Sequence, residues 1–418
     1  MSPPPDTNTD AQAETTLEQQ ASSSHDRQFE AVSFDTKRTA TGLSWIVVPT
    51  LITAVLSVLI VSAIYSVWTE SDTLPIAGFE VEILNWLYGL ALLFVTILVT
   101  KRVITSPERT AKFLGRIRRQ KTVLVAAVTA LFLFLIGSIV PFLTNEPLLD
   151  PLISLQPPGW SSVSEVFVPT CHGTVVDGQC QGTASYPLGT NALGQDVLAM
   201  GWLGLNTTLQ VAMTASTIAA TFGVVVGVSA GYLGGRVDEM LMRYVDIQRA
   251  LPAFFLYILL VLRFGRSYPL MILVFGLLSW GGIARVVRSE VIQLKTTSFV
   301  QAAQLSGAEA KTIIRRHILP AVTGTVLTTV AVLFAKFAVY EAALAFLWLT
   351  EIDAVSLGSE IATAVGRQAG DNTVAGGSTF DWWSVPWVVY VPAGILCTLL
   401  LVVSFLGDRV QEMVDPRT

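Results

Sequence analysis

Eight long apolar stretches leave this 418-residue chain little choice of fold; they lie at about 44–68, 83–100, 122–143, 207–232, 245–264, 268–288, 321–349 and 386–406. Each is close to the roughly 20 apolar residues that a helix needs to cross the hydrocarbon core of a bilayer. A helix pairs its backbone N–H and C=O groups within its own segment, which lipid demands. Composition agrees: 52% of residues are hydrophobic, only 14% are charged and the mean hydropathy is +0.59. An ordinary soluble enzyme is excluded. The expected class is an all-α polytopic membrane protein with about eight transmembrane helices. Residues 1–42, rich in Thr, Ser, Gln, Asp and Glu, read as a disordered tail with no secretory signal peptide.

The net charge of −5 matters less than its partition. Segment 101–121 holds eight Lys/Arg against Glu108 alone, whereas segment 144–205 holds five acidic residues and no Lys or Arg. Segment 69–82 has four acidic residues and no basic one. Basic loops stay cytoplasmic. With both termini inside, all but Arg263, Arg266, Lys336 and Arg367 of the 26 Lys/Arg fall on the cytoplasmic side. The long loop 144–205 is then external, and its Pro/Gly content (Pro147, Pro151, Pro157, Pro158, Gly159) suits a small cap.

That loop holds Cys171 and Cys180, nine residues apart around Gly173 and Gly178. Outside the membrane a disulfide is permitted, and closing so short a loop stabilises by roughly 2–3 kcal/mol in the chain-entropy picture. Two free thiols are the alternative. His172 raises metal binding, but the set lacks a fourth ligand. Cys397, inside the last span, reads as a small packed hydrophobe.

The chain divides into a tail (1–42), two N-terminal spans (43–100), a basic linker (101–121) and a six-span unit (122–418). In the span at 207–232, Ala215, Ala219, Gly223, Gly227, Gly231 and Gly235 recur every four residues on one face. In lipid, small residues let helix backbones approach closely, so the stripe marks a tight contact, with gating as the alternative role. Segment 234–252 reads as an amphipathic surface helix, with Met240, Leu241, Tyr244 and Val245 turned to bilayer or bundle, and Pro252 opening the next span.

Residues 299–320 form a polar, basic insert between apolar segments. Gly307 takes the positive φ that closes one short helix before the next, and Pro320 opens the apolar helix that follows. This elbow closely resembles the coupling loop of ABC-importer permeases: Ala302, Ala303, Gly307, Leu319 and Pro320 are in register, and Gln301 stands where that family usually has Glu. Further runs extend the resemblance. They are Tyr186–Leu198 (Tyr-Pro-Leu-Gly-Thr-Asn-Ala-Leu-Gly-Gln-Asp-Val-Leu), Ala230–Arg243, Glu341-Ala-Ala-Leu, Pro386-Trp387, Gly407-Asp408 and Asp415-Pro-Arg417. Together they cover about 186–418 and resemble the C-type subunit of the dipeptide/oligopeptide and nickel permeases. Gln195 and Asn206 replace usual Arg positions.

The resemblance implies a type I ABC-importer core of six helices. It implies a second permease subunit, two cytosolic ATP-binding subunits and an external solute-binding protein as partners, with nucleic acid as none. ATP and Mg would act only through those subunits. Gln301, Ala302, Ala303, Gly307, Leu319 and Pro320 would be the ATPase-coupling residues. The chain itself has no Gly-x-x-x-x-Gly-Lys-Ser/Thr phosphate loop, no His-Glu-x-x-His and no Gly-x-Ser-x-Gly. Catalytic and metal sites are therefore not expected, and His317 in the elbow reads as a polar surface residue. Two intramembrane charges, Lys336 and Glu341, are the candidate pathway residues. Lys336 alternatively snorkels, and Glu341 alternatively bonds to a neighbouring helix. The expected function is alternating-access import of peptides across the cell membrane, or of nickel or another small solute on the same scaffold. A stand-alone transporter or channel would need its own ion-coupling site at midplane.

Overall fold

The computed structural model describes residues 44–414 apart from 70–72, 77–78, 106, 145–146, 352–353 and 366–381. The tail at 1–42, Arg367 and the 415–417 run lie outside the described residues. Of residues 1–51 only the helical start at 44–51 is described.

Helix α1 (Ser44–Thr69) leads into an antiparallel hairpin, β1 (Thr73–Ile76) and β2 (Phe79–Glu82), and then α2 (Ile83–Thr105). A basic helix α3 (Pro107–Arg119) precedes α4 (Lys121–Leu143). A loop unit follows with strands β3 (Ser162–Ser164), β4 (Val175–Val176) and β5 (Gln179–Gln181), ordered β3-β5-β4. The remaining helices are α5 (Val197–Leu233), α6 (Gly235–Ala250), α7 (Ala253–Phe264), α8 (Tyr268–Leu278), α9 (Gly281–Lys295), α10 (Ser298–Leu305), α11 (Ala310–Ile313), α12 (Leu319–Phe346), α13 (Leu357–Ala364) and α14 (Trp387–Val414). The fold is helical throughout the apolar segments; the small sheets, which the apolar pattern did not announce, sit in connections.

Among the described residues, six helical segments are long and apolar enough to cross a membrane, not eight. The expected span at 245–264 is the clearest correction. It divides at Leu251–Pro252, where α6 and α7 bend by 69°, and counts at most as a seventh. The cause is local: proline drives the preceding residue out of the α region, and Leu251 is extended at φ −87°, ψ 116°. The twelve residues of α7 are too few for a straight crossing. For the first expected span, Ser57–Thr69 registers as a shorter apolar helix.

Helix α5 is the axis of the bundle. Its 37 residues begin at Asp196, whose side chain accepts the Leu198 N–H at 2.8 Å. Helices α2, α4, α8, α9, α12 and α14 all pack on it. Its buried residues Val211, Ala212, Ala215, Ile218 and Ala219 share one core cluster with Leu84, Leu87 and Ala91 of α2. A polar contact strengthens that seam, Gln210 Nε2 donating to Asn85 Oδ1 at 2.6 Å, and the Tyr88 and Ser138 hydroxyls, 2.7 Å apart, join α2 to α4. The second N-terminal helix is therefore part of the same packed core. Cys397 is not packed: it is exposed on the outer face of α14, because the buried side of that helix carries Leu399 instead.

The loop unit packs Leu155, Val163, Val168 and Cys180 against Trp387 and Val388 at the start of α14. Cys171 and Cys180 are joined by a disulfide. Opening it by Cys180→Ser is expected to lower the stability of this unit by about 2–3 kcal/mol, the value for a loop of this length. Limited proteolysis of the segment with and without reductant measures the effect; equal cleavage rates would refute it. Gln195 and Asn206, which replace arginines expected from the resemblance, are used internally. Gln195 Nε2 donates to the Pro147 carbonyl at 3.0 Å, and Asn206 Nδ2 donates to the Gly137 carbonyl at 2.7 Å.

Candidate functional site

The elbow is built from α10, α11 and a five-residue π turn, Ile314–Ile318, that runs directly into α12. Helix α10 ends in a Schellman motif. The Gly307 N–H donates to the Gln304 carbonyl at 3.0 Å, and the Ala308 N–H to the Ala303 carbonyl at 3.1 Å. This needs φ > 0 at Gly307, observed at +75°. Val300, Ile313 and Ile318 turn inward and are fully buried in the core cluster, so three apolar anchors fix the elbow to the bundle. His317 lies against Phe299, ring centroids 5.9 Å apart.

The outward surface mixes small, apolar and polar side chains, with Gln304 and Ser306 exposed beside Ala302 and Leu305. Gln301, Ala302 and Gly307 are exposed, while Ala303 is half-buried against the core. Leu305 projects furthest: at 90% it is the most exposed large apolar side chain among the described residues. The sequence pattern does not single it out, since Leu305 stands alone between Gln304 and Ser306. Leu319 and Pro320 do not share this surface. They open α12, with Pro320 in its first turn as expected; the helical path nevertheless runs on from the elbow, so that Ala310–Phe346 is one continuous 37-residue segment. The π turn makes that possible. Proline has no N–H to close an α-helical rung, and the Leu319 N–H instead reaches back to the Ile314 carbonyl.

From the elbow, α9 leads into the bundle. Lys295 Nζ donates to the Tyr232 carbonyl at 2.8 Å. Gly223, Gly227 and Gly231 of α5 press on α9: a Cβ built on Gly223 would lie 2.5 Å from Ile283 Cβ, and one on Gly227 would lie 2.6 Å from the Ala284 carbonyl oxygen. Gly235, the fourth glycine of the stripe, does not belong to this contact. It has open space around it and φ +55°, because the chain breaks between α5 and α6 there. Asp238 on α6 grips Arg288 on α9 through both carboxylate oxygens, with Nη2–Oδ2 at 2.6 Å. Arg285 also pairs with Asp246 across these helices, through the single carboxylate oxygen Oδ1. On α6, Val245 is buried and Tyr244 stacks on Trp280 at 5.8 Å, while Met240 is exposed.

At the other end of α12, Glu341 is fully buried within the subunit, bonded to neighbouring helices. Its two carboxylate oxygens accept hydrogen bonds from Thr208 Oγ1 at 2.7 Å and Ser356 Oγ at 2.5 Å. Ser356 is also the N-cap of α13, accepting the Gly358 N–H at 3.1 Å. Close backbone contact seats α13: a Cβ on Gly358 would lie 1.9 Å from the Ala342 carbonyl oxygen, and one on Gly204 2.7 Å from the Leu357 nitrogen. Three segments far apart in sequence thus meet at one carboxylate. Lys336 stands apart from this cluster, exposed, with Nζ 5.2 Å from the Tyr340 ring centroid.

These features define a class: a multi-pass helical membrane protein with an exposed helix-turn-helix elbow. Similarity then places it. The family described as "Binding-protein-dependent transport system inner membrane component" matches residues 223–418. The dipeptide transport system permease protein DppC of Bacillus subtilis is 30% identical over 307 residues, 72% of this chain and 84% of its own length. The oligopeptide transport system permease protein OppC of Haemophilus influenzae is 29% identical over 293 residues, 70% of this chain and 85% of its own. OppC of Escherichia coli K12 is 32% identical over 229 residues, 55% and 72% respectively. An inward-facing structure of the MetNI methionine ABC transporter aligns with 52% of this chain at 18% identity, with a TM-score of 0.39. The chain belongs to the family of binding-protein-dependent transport permeases, and is a transport subunit, not an enzyme.

Proposed function

We propose that this chain is one of two transmembrane subunits of an ATP-driven importer that moves short peptides across the cell membrane. The names of the relatives support the solute class. In this reading the partners are a second permease, two cytosolic ATP-binding subunits and an external solute-binding protein. The elbow side is cytoplasmic, as are both termini, in keeping with the basic residues concentrated there. Residues 122–418 form the permease core, and 43–100 with the linker 101–121 are an addition to it.

The observation that carries the reading is the elbow itself: an exposed surface around Ala302 and Leu305, rigidly capped at Gly307 and continuous with a spanning helix. Driving a two-state transporter from 1:99 to 99:1 takes roughly 5.5 kcal/mol, so the docked element must not yield. Helix α10 inserts in a cleft of the ATP-binding subunit, with Gln301, Ala302, Ala303 and Leu305 at or beside the contact. Leu319 and Pro320 pass the motion on to α12.

Gly307→Glu is expected to spare membrane insertion but uncouple ATP hydrolysis from uptake. A side chain at its positive φ costs about 1 kcal/mol or more, and the added bulk meets the docked partner. Ala303→Asp should act alike. Co-purification of the ATP-binding subunits and peptide-stimulated hydrolysis in proteoliposomes measure it. Wild-type association and uptake in Gly307→Glu would remove the elbow from the coupling contact. The same vesicles loaded with nickel in place of peptide separate the two solute classes.

A further inference from the structure

We propose that the groove between α4 and α14 binds an anionic phospholipid, with the headgroup phosphate held by the basic residues that end α3 and begin α4. The proposal rests on the membrane spans and the charge pattern, and not on the identity of the transported solute.

The groove has a volume of about 580 Å³. Val125, Ala126, Thr129, Leu401, Val402 and Phe405 line it, and Lys121 with Thr122 stands at its end. Val125 and Leu401 are exposed on its rim, on helices that cross the membrane, so it opens sideways to the acyl chains. Its apolar lining suits a hydrocarbon chain.

The charged end is fixed in place by the chain. Helix α3 lies between the spanning helices α2 and α4, separated from α4 by Gln120 alone, and so is tethered at the membrane surface at both ends. It is amphipathic: Phe113, Leu114 and Ile117 share one face, and Lys112, Arg116 and Arg119 share the opposite one. Arg118, Arg119 and Lys121 are exposed and lead directly into the groove end. Arg116 Nη1 donates to the Met413 carbonyl at 2.6 Å, which ties α3 to the end of α14 beside the same groove. The acidic neighbours on α14 are Asp408 and Glu412, and Glu412 is engaged by Arg409 at 2.7 Å.

Helix stability does not account for Lys121. A cation in the first turn of a helix opposes the macrodipole, and Gln120 supplies no side-chain cap. An anion at this place matches both the basic cluster and the free N–H groups of the first turn of α4. A soluble anion would satisfy the charges but leave the apolar groove open. A helix of a second subunit would fill the groove but supply no phosphate to the basic cluster. A phospholipid carries a phosphate and an apolar chain in the required order, and juxtamembrane basic clusters favour anionic lipids.

The test uses the full-length chain, purified with the subunits that accompany it and placed in nanodiscs of equimolar phosphatidylglycerol and phosphatidylcholine. Native mass spectrometry counts the retained lipids. Wild type is expected to retain phosphatidylglycerol preferentially, and each charge neutralised among Arg118→Gln, Arg119→Gln and Lys121→Gln should lower that preference by about fivefold. Filling the groove by Ala126→Trp should reduce retention of both lipids. Equal retention of the two lipids by wild type overturns the proposal. So does a wild-type preference in the triple variant, or loss of the preference on adding inorganic phosphate alone. If the triple variant does not assemble, photoactivatable phosphatidylglycerol on wild type decides. Labels within 121–129 or 401–405 support the site; labels elsewhere, or a Val125→Cys crosslink to a second subunit, reject it.

Discussion

Valine at Gly227 is expected to remove nearly all folded permease from the membrane, while alanine at Gly89 leaves the amount unchanged. The two glycines differ in what surrounds them. A Cβ on Gly227 would lie 2.6 Å from the Ala284 carbonyl oxygen and 2.8 Å from Val287 Cβ, whereas Gly89 has open space. The obstacles at Gly227 are a helix backbone and the root of a branched side chain, and neither can swing aside. Overpacking a core typically costs 1–3 kcal/mol, and here the strain falls on the long seam between α5 and α9. Gly223 meets Ile283 at 2.5 Å and Gly231 meets Val291 at 2.8 Å, so the helices cannot relieve it by sliding toward either. Gly89→Ala should be neutral or gain up to about 1 kcal/mol from helix propensity. Size-exclusion yield of the full-length protein in detergent reads both. A wild-type yield from Gly227→Val would mean that the α5–α9 seam opens without cost.

The second large effect is expected at Glu341. Glu341→Ala strands the hydroxyl proton of Ser356 in a buried site, whereas Thr208 Oγ1 keeps the Gly204 carbonyl as an acceptor at 3.1 Å. An unsatisfied buried polar group costs about 1–3 kcal/mol, although hydrogen bonds between membrane helices average nearer 0.6 kcal/mol in measured cases. The loss should show as a lower unfolding temperature and as faster amide exchange at Leu357 and Gly358, because Ser356 would lose what orients it as the α13 cap. Glu341→Gln keeps an acceptor and should recover most of both. Unchanged exchange at α13 in the alanine variant would show that backbone packing alone seats that helix, and Gly358 against Ala342 would then carry the contact.

The sequence made the membrane class legible because apolar length is a one-dimensional property. The elbow was legible for a related reason: a glycine at the end of a short helix and an ensuing proline mark local backbone geometry. The misreadings arise where chemistry depends on partners distant in the chain. Glu341 reads as an intramembrane charge facing a cavity until Thr208 and Ser356, 133 and 15 residues away, are seen to enclose it. Gly235 continues a four-residue stripe on paper, but the helix that gives the stripe meaning has ended at Leu233. The division at Leu251–Pro252 was signalled by the proline and by Asp246, Gln248 and Arg249 before it; only the apolar run after it suggested one span over 245–264. For α13, Ser356 followed by Ser359 and Glu360 was a usable capping signature that hydropathy overlooks.

One consequence follows from the unbroken segment Ala310–Phe346. At 1.5 Å per residue, 37 residues make a rod of about 55 Å. Glu341 lies about 46 Å along it from the elbow end. A tilt of about 10° around the midpoint displaces each tip by roughly 5 Å, and in opposite directions. The π turn softens only the last stretch before the elbow, so the rest must swing as a beam on a fulcrum. In the proposed coupling, a push at Leu305 would reach the Thr208–Glu341–Ser356 knot reversed in sense, and a tightening of that knot would work backwards on the elbow with the same mechanical advantage.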